Sequence, residues 1–342
     1  MHILDLHLLW FGLIAILFTG FFVLEGFDYG VGILLPWLGK NDTERRMILN
    51  SIGPFWDGNE VWLITAGGAT FAAFPGWYAT MFSTFYLEMF AILLALILRG
   101  AAIEFRSLHD NPRWRNGWDW AFFTGSLLPG FFWGVILANA IQGLPIDANM
   151  NYAGTIWQIF NPLALLCGIT LVVVFTLHGA IFLSLRVNNH LIQRAQRTAK
   201  RMCIPALLLF LLIVGVGFQT TEVFHRLILD PRMVPFGYLT LATLVFTPWL
   251  LARGRSGWAF TMTIGTIILL AVTVGIGIFP HFMISSLNPA WSLTIDNTAS
   301  SPYTLTVMSW IALTCIPFVL AYQAWNYWVF RKRISPKAIG HY

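Results

Sequence analysis

Long apolar runs alternate with short polar connections along the whole chain. A helical membrane span needs roughly 20 predominantly apolar residues. Nine runs meet that length, centred near Leu17, Gly67, Leu93, Pro129, Val172, Leu209, Leu244, Leu269 and Ile316. The seventh, about residues 236–252, is the shortest and carries Pro248. The pattern therefore predicts an all-α polytopic membrane protein with nine transmembrane helices. The first run follows Met-His-Ile-Leu-Asp without a cationic leader or a small-residue cleavage site, so it reads as a retained span rather than a signal peptide.

The polar connections carry a second pattern. Lys and Arg concentrate in every other connection: Lys40, Arg45 and Arg46; Arg99, Arg106, Arg113 and Arg115; Arg186, Arg194, Arg197, Lys200 and Arg201; Arg253 and Arg255; and Arg331, Lys332, Arg333 and Lys337. These compartments hold 18 of the 20 cations. Cytoplasmic loops carry the excess of Lys and Arg, so nine spans with the N-terminus outside and the C-terminus cytoplasmic fit, whereas eight or ten break the alternation. A short internal echo adds to this. Arg115-Asn116-Gly117-Trp118-Asp119 resembles Arg255-Ser256-Gly257-Trp258-Ala259, and each opens a span from the cytoplasmic side. A parallel repeat of two four-helix bundles gives such an echo. Two interfacial tryptophan anchors after basic loops give it too.

Composition agrees with the spans. The 342 residues are 57% hydrophobic and 10% charged, where soluble proteins are about 25% charged. The basic charge balance is a topology signal and needs no nucleic-acid partner. Cys167, Cys203 and Cys315 stand singly in apolar runs, which argues for packed thiols rather than disulfides or a zinc site. No phosphate-binding loop or zinc-hydrolase motif is present in the sequence.

Against this background four carboxylates between residues 25 and 60 are anomalous. Glu25 and Asp28 close the first apolar run, and Asp57 and Glu60 open the second, each pair spaced to share a helix face. Ionisable groups in spans are expensive and persist when paired, hydrated or in use. Asp57 and Glu60, in Trp56-Asp57-Gly58-Asn59-Glu60-Val61-Trp62, read either as a proton or cation entry or as acids favoured by a helix N-terminus. The glycines around Asp28 leave room for a neighbouring helix or a cofactor. Glu88 appears as the deepest carboxylate, inside the third run and too far along the helix from Arg99 to pair with it. Glu104 stands beside Arg106, where a surface ion pair is the simple reading. His178 is the histidine well inside a span; it reads as a haem ligand or, better, as a buried histidine bonded to a neighbouring helix.

Gly26-Phe27-Asp28-Tyr29-Gly30-Val31-Gly32, Asn41-Asp42-Thr43-Glu44-Arg45-Arg46, Trp56-Asp57-Gly58-Asn59-Glu60-Val61-Trp62-Leu63-Ile64-Thr65-Ala66-Gly67-Gly68, Arg113-Trp114-Arg115-Asn116-Gly117-Trp118-Asp119-Trp120 and Thr176-Leu177-His178-Gly179-Ala180 together resemble subunit II of the bacterial cytochrome bd-type quinol oxidases. The resemblance covers essentially the whole chain. It implies one subunit of a heterodimer in the bacterial cell membrane that oxidises quinol and reduces dioxygen to water. Two haem b and one haem d are then expected in the partner, subunit I, and no metal or cofactor is assigned to this chain. Whether a small third subunit joins is left open. The implied fold is two four-helix bundles, residues 1–140 and 155–282, with an additional helix at 301–330. The implied role is support of the haem subunit and a cytoplasmic proton route. Asp57 is its first candidate, with Asp28, Glu104 and Glu25 after it. Glu25 stands where the family carries Asp. Glu60 stands where Gln also occurs, which argues against an obligatory proton role. Glu88 matches no motif of the family and its role is left open; with Glu60 and His178 it ranks below the other candidates. Two other readings remain at this point: a proton-coupled secondary transporter and an assembly scaffold without a proton role.

Overall fold

Helix starts in this chain are written locally. Asp5 accepts hydrogen bonds from the backbone N–H groups of His7 and Leu8, 3.0 and 3.3 Å away, and so caps the first helix. Asn111-Pro112, Asn161-Pro162 and Ser301-Pro302 each pair a capping side chain with a proline at the first helical position. There the missing proline N–H costs nothing. A computed structural model describes residues 5–188 and 190–334. Lys337 of the basic tail lies outside the described residues.

The helices are α1 (Leu6–Leu38), α2 (Asp42–Ile52), α3 (Trp56–Ala73), α4 (Pro75–Thr84), α5 (Tyr86–Phe105), α6 (Pro112–Gln142), α7 (Ile156–Ile159), α8 (Pro162–Arg186), α9 (His190–Thr220), α10 (Glu222–Leu229), α11 (Val234–Ala252), α12 (Ser256–Ile278) and α13 (Pro302–Val329). A two-stranded antiparallel ribbon, β1 (His281–Met283) and β2 (Leu293–Thr294), lies between α12 and α13. Among the described residues eight helices are long and apolar enough to cross a membrane: α1, α5, α6, α8, α9, α11, α12 and α13. The chain is thus a multi-pass membrane protein by length and composition. The second predicted span corresponds to α3, which is 18 residues long and carries Asp57, Asn59 and Glu60 near its start. That polar first turn is why α3 falls outside the apolar set.

Helix α1 is the hub. It is continuous for 33 residues, unbroken across its glycines, about 50 Å at the α-helical rise. It packs against α3, α6, α8 and α12, and every residue from Glu25 to Leu35 is buried. The glycines serve helix contact. A Cβ on Gly30 would overlap the Phe175 carbonyl of α8, and one on Gly179 would overlap the backbone of Gly30. A Cβ on Gly32 would collide with Ser126 of α6. Helix α13 is peripheral: Leu305 is its one buried residue.

Candidate functional site

Glu25 of α1 and Arg99 of α5 are both 0% exposed, and Arg99 Nη1 donates to Glu25 Oε1. The same nitrogen lies 3.3 Å from Glu60 Oε1 on α3. Arginine stays protonated in proteins, so its burial demands a carboxylate. The guanidinium also stands 5.0 Å from the Tyr29 ring centroid and 5.8 Å from that of Phe122. Gly125 makes room for it: a Cβ there would lie 2.8 Å from the Arg99 Cβ. Arg99 is therefore not one of the loop cations that the charge count predicted. It lies inside α5, closing a three-helix contact.

Asp28 lies one turn further along α1 and is also 0% exposed. Its Oδ2 accepts from Asn59 Nδ2 of α3 at 2.7 Å. Asn59 Oδ1 in turn accepts from Gln323 Nε2 at 3.1 Å and from the Tyr327 hydroxyl at 3.0 Å, both on α13. Among the described residues Glu25 Oε2, Asp28 Oδ1, the Tyr29 hydroxyl and Arg99 Nε and Nη2 have no hydrogen-bond partner. The cluster thus keeps unused polar atoms on α1 and α5.

The other predicted acids fall elsewhere. Asp57 is exposed on α3, one turn before Glu60, although indoles flank it on both sides. Those indoles turn inward instead, Trp56 toward Gly100 and Trp62 toward Gly20. Glu104 is exposed at the end of α5 and does not pair with Arg106. Arg106 turns to the fully buried Asp119 at 2.6 Å and to Asp42 at 2.9 Å. Arg45 also reaches Asp119, at 2.6 Å, and Arg115 reaches Asp42, at 3.0 Å. This network ties α2 to the ends of α5 and α6. Glu88 is buried, but it is not mid-span. It stands in the first turn of α5, because the run breaks at Phe85 between α4 and α5. Glu25 and Asp28, by contrast, are 0% exposed and stand well inside α1.

His178 is fully buried on α8. Its Nδ1 is 2.7 Å from the Thr263 hydroxyl of α12, its Nε2 is 3.2 Å from the Val23 carbonyl of α1, and its ring stacks on Phe260 at 4.5 Å. Both ring nitrogens are committed to neighbouring helices, so His178 does not fit a haem ligand. Among the described residues no group of three His, Cys, Asp or Glu side chains is gathered as a metal would need.

A profile of the cytochrome bd terminal oxidase subunit II family matches residues 6–330. The chain belongs to that family. It is 42% identical over 333 residues to cytochrome bd ubiquinol oxidase subunit 2 of Bacillus subtilis (strain 168), covering 97% of this chain and 98% of that one. It is 37% identical over 365 residues to cytochrome bd-I ubiquinol oxidase subunit 2 of Escherichia coli (strain K12), covering 98% and 96%. A solved chain in the structure of bd oxidase from Geobacillus thermodenitrificans has the same fold, with a TM-score of 0.79 at 18% identity over 96% of this chain and 100% of that one. The family membership replaces the transporter reading: the chain is subunit II of a bd-type terminal oxidase.

Sequence reasoning missed four members of the site. Arg99 was legible as a cation flanked by Leu96-Ile97-Leu98 and Gly100-Ala101-Ala102, an interruption that a loop does not require. Asn59 lies inside the motif from Trp56 to Trp62 but carries no charge to draw attention. Gln323 and Tyr327 had no local signal, because their partner is more than 260 residues away.

Proposed function

We propose that this chain is the second subunit of a quinol:oxygen oxidoreductase in the bacterial plasma membrane and feeds cytoplasmic protons to it. On this reading it spans the membrane nine times, with α3 as the second span, the N-terminus outside and the C-terminus cytoplasmic. Residues 1–140 and 155–282 form the two four-helix sets, and α13 is the additional helix. Subunit I is the partner and carries the haems, two b-type and one d-type. Quinol and dioxygen react there, and membrane lipid surrounds the pair.

The observation that carries the proton role is the buried cluster at the α1–α3–α5 junction. Glu25 and Glu60 share one arginine, Arg99, and the buried Asp28 beside them is held by the neutral Asn59 amide. In a low-dielectric interior uncompensated carboxylate charge is expensive. Protons are the species that balance the surplus acids, so the cluster can take up and release them. Asp57 and Glu104 stand at one end of this cluster, near the Trp56–Gly100 contact, on the open faces of α3 and α5. An open face is where a proton enters from water or passes to a partner subunit. When negative charge builds at the oxygen-reducing centre, protons move toward it along such acids.

The test is oxygen consumption by the purified two-subunit complex carrying Asp57→Asn or Asp28→Asn. Slowed turnover with unchanged haem absorbance supports the proton path. Full turnover in both assembled variants sinks it and leaves the scaffold reading. Loss of haem makes these acids structural.

A further inference from the structure

We infer that Asn59 is a positioning residue for Asp28, and that α13 exists in this subunit largely to aim it. The inference rests on the proton-path reading and adds elements to it that carry no charge. Helix α13 buries almost nothing of itself; Leu305 is its one buried residue. Yet Gln323, Asn326 and Tyr327 form a polar stripe at i, i+3 and i+4, the spacing of one helix face. All three dock on the start of α3. Asn326 Nδ2 donates to the Pro54 carbonyl at 3.0 Å, and Gln323 and Tyr327 donate to Asn59 Oδ1. The Tyr327 ring also lies flat on the buried Phe55, with centroids 4.4 Å apart and planes 4° from parallel.

This arrangement fixes which way the amide faces. Amide oxygen and nitrogen are assigned from their partners. Gln323 Nε2 and the Tyr327 hydroxyl fit as donors to one end of Asn59, and at the other end the Leu24 carbonyl, 3.4 Å from Nδ2, can only accept, so the end facing α13 is the oxygen. The NH2 end then faces Asp28 and donates to Oδ2. A flipped amide would set its oxygen against the Asp28 carboxylate and the Leu24 carbonyl, losing both bonds on that side. Tyr327 and Gln323 thus lock a donor onto one oxygen of Asp28. The other oxygen, Oδ1, has no partner among the described residues. Oδ1 is the atom that takes the proton: the O–H bond forms there and breaks there, while the Asn59 N–H bonds stay intact. Simple helix anchoring would not require both donors to converge on the one amide that touches Asp28.

The experiment uses the intact complex with Asp28→Asn, Tyr327→Phe, and the double variant Gln323→Leu/Tyr327→Phe. Two readouts are taken: turnover with saturating quinol, and the carboxyl C=O band in redox-induced infrared difference spectra, assigned to Asp28 by its loss in Asp28→Asn. A hydrogen bond of ordinary net strength is worth a few-fold. Tyr327→Phe is expected to lower turnover roughly three-fold and the double variant roughly ten-fold, both shifting the Asp28 band with haem absorbance and the quinol KM unchanged. An unshifted band and full turnover in the double variant, while Asp28→Asn is slow, overturn the inference and spare the proton path. Loss of haem in both the single and the double variant also overturns it, since α13 would then only hold the fold. Full turnover in Asp28→Asn removes the proton role of Asp28 itself and the inference with it.

Discussion

The two halves of this molecule solve the same problem, polar groups inside apolar helices, in opposite ways. The helices α1, α3, α5 and α6 bury Glu25, Asp28, Asn59, Glu88, Arg99 and Asp119. The helices α8, α9, α11 and α12 bury mainly hydroxyls, with His178 and Arg186 as the ionisable exceptions. Thr170, Thr176, Thr240, Thr247 and Thr266 each bond the carbonyl four residues earlier in their own helix. A hydroxyl satisfied that way needs nothing from a neighbour. A buried guanidinium cannot be satisfied by its own helix, so Arg99 binds α5 to α1 and α3. The internal echo condenses the contrast. Asp119 and Ala259 occupy matching places in the Arg-x-Gly-Trp segments, and both are 0% exposed. The inward position is kept in both halves. One half fills it with a charge that holds Arg45 and Arg106, the other with a methyl group.

Breaking the charged half should cost the most. Arg99→Leu leaves Glu25 buried without its cation, which is worth about 3–5 kcal/mol. The variant complex is expected to lose thermal stability accordingly, read as the midpoint of haem loss on heating. Adding Glu25→Leu should recover most of the loss, because an apolar pair often replaces a buried ion pair at little cost. A double variant as unstable as the single one would show that Arg99 acts through Glu60 or the Tyr29 ring instead.

Backbone contact comes next. Gly30→Ala drives a Cβ into the Phe175 carbonyl of α8, and overpacking of this kind costs about 1–3 kcal/mol. Gly257→Ala on α12 meets nothing within 4 Å. It should be neutral or, near a helix start, gain up to about 1 kcal/mol from alanine's helix propensity. Melting both variants side by side tests whether the halves differ in packing at these glycines. Equal losses would mean that the α1–α8 crossing relaxes freely.

Much of this architecture is legible in the sequence because span helices are coded by local composition. Each predicted apolar centre falls in a helix, and the caps at Asn111, Asn161 and Ser301 mark three of the starts. The acids Glu25 and Asp28 stood out because each carries a charge where charge is costly. What stayed hidden was partnership. Glu25 meets Arg99 across 74 residues and Asn59 meets Tyr327 across 268. A charge count treats Arg99 as a loop residue until three helices close around it. Glu88 was misplaced for a related reason: hydropathy runs straight through Phe85, where the backbone ends one helix and begins another.

The smallest expected effect concerns a tie between the halves themselves. Glu44 on α2 accepts from Arg194 on α9 and from the backbone N–H of Lys40 at 2.9 Å, while Arg194 also donates to the Leu38 carbonyl at 2.7 Å. Burial acts to raise the Glu44 carboxyl, but the Lys40 N–H and the Arg194 guanidinium outweigh it and hold the group below its ordinary value. A carboxylate depressed in the folded state adds stability that is fully present above its unfolded value, about 4.3. That stability is lost as the pH falls through the depressed value. The difference in melting temperature between the wild-type complex and Glu44→Gln should therefore be small and constant near neutral pH, as for a partly exposed ion pair. It should shrink toward zero as the pH falls through that depressed value. High salt should shrink it as well, since a partly exposed pair is screened. Thr247→Val in the second half, whose hydroxyl answers only to its own helix, should show no such pH dependence. A Glu44→Gln difference that persists undiminished in acid would mean that Glu44 joins the halves by shape and its neutral hydrogen bonds, with its charge irrelevant.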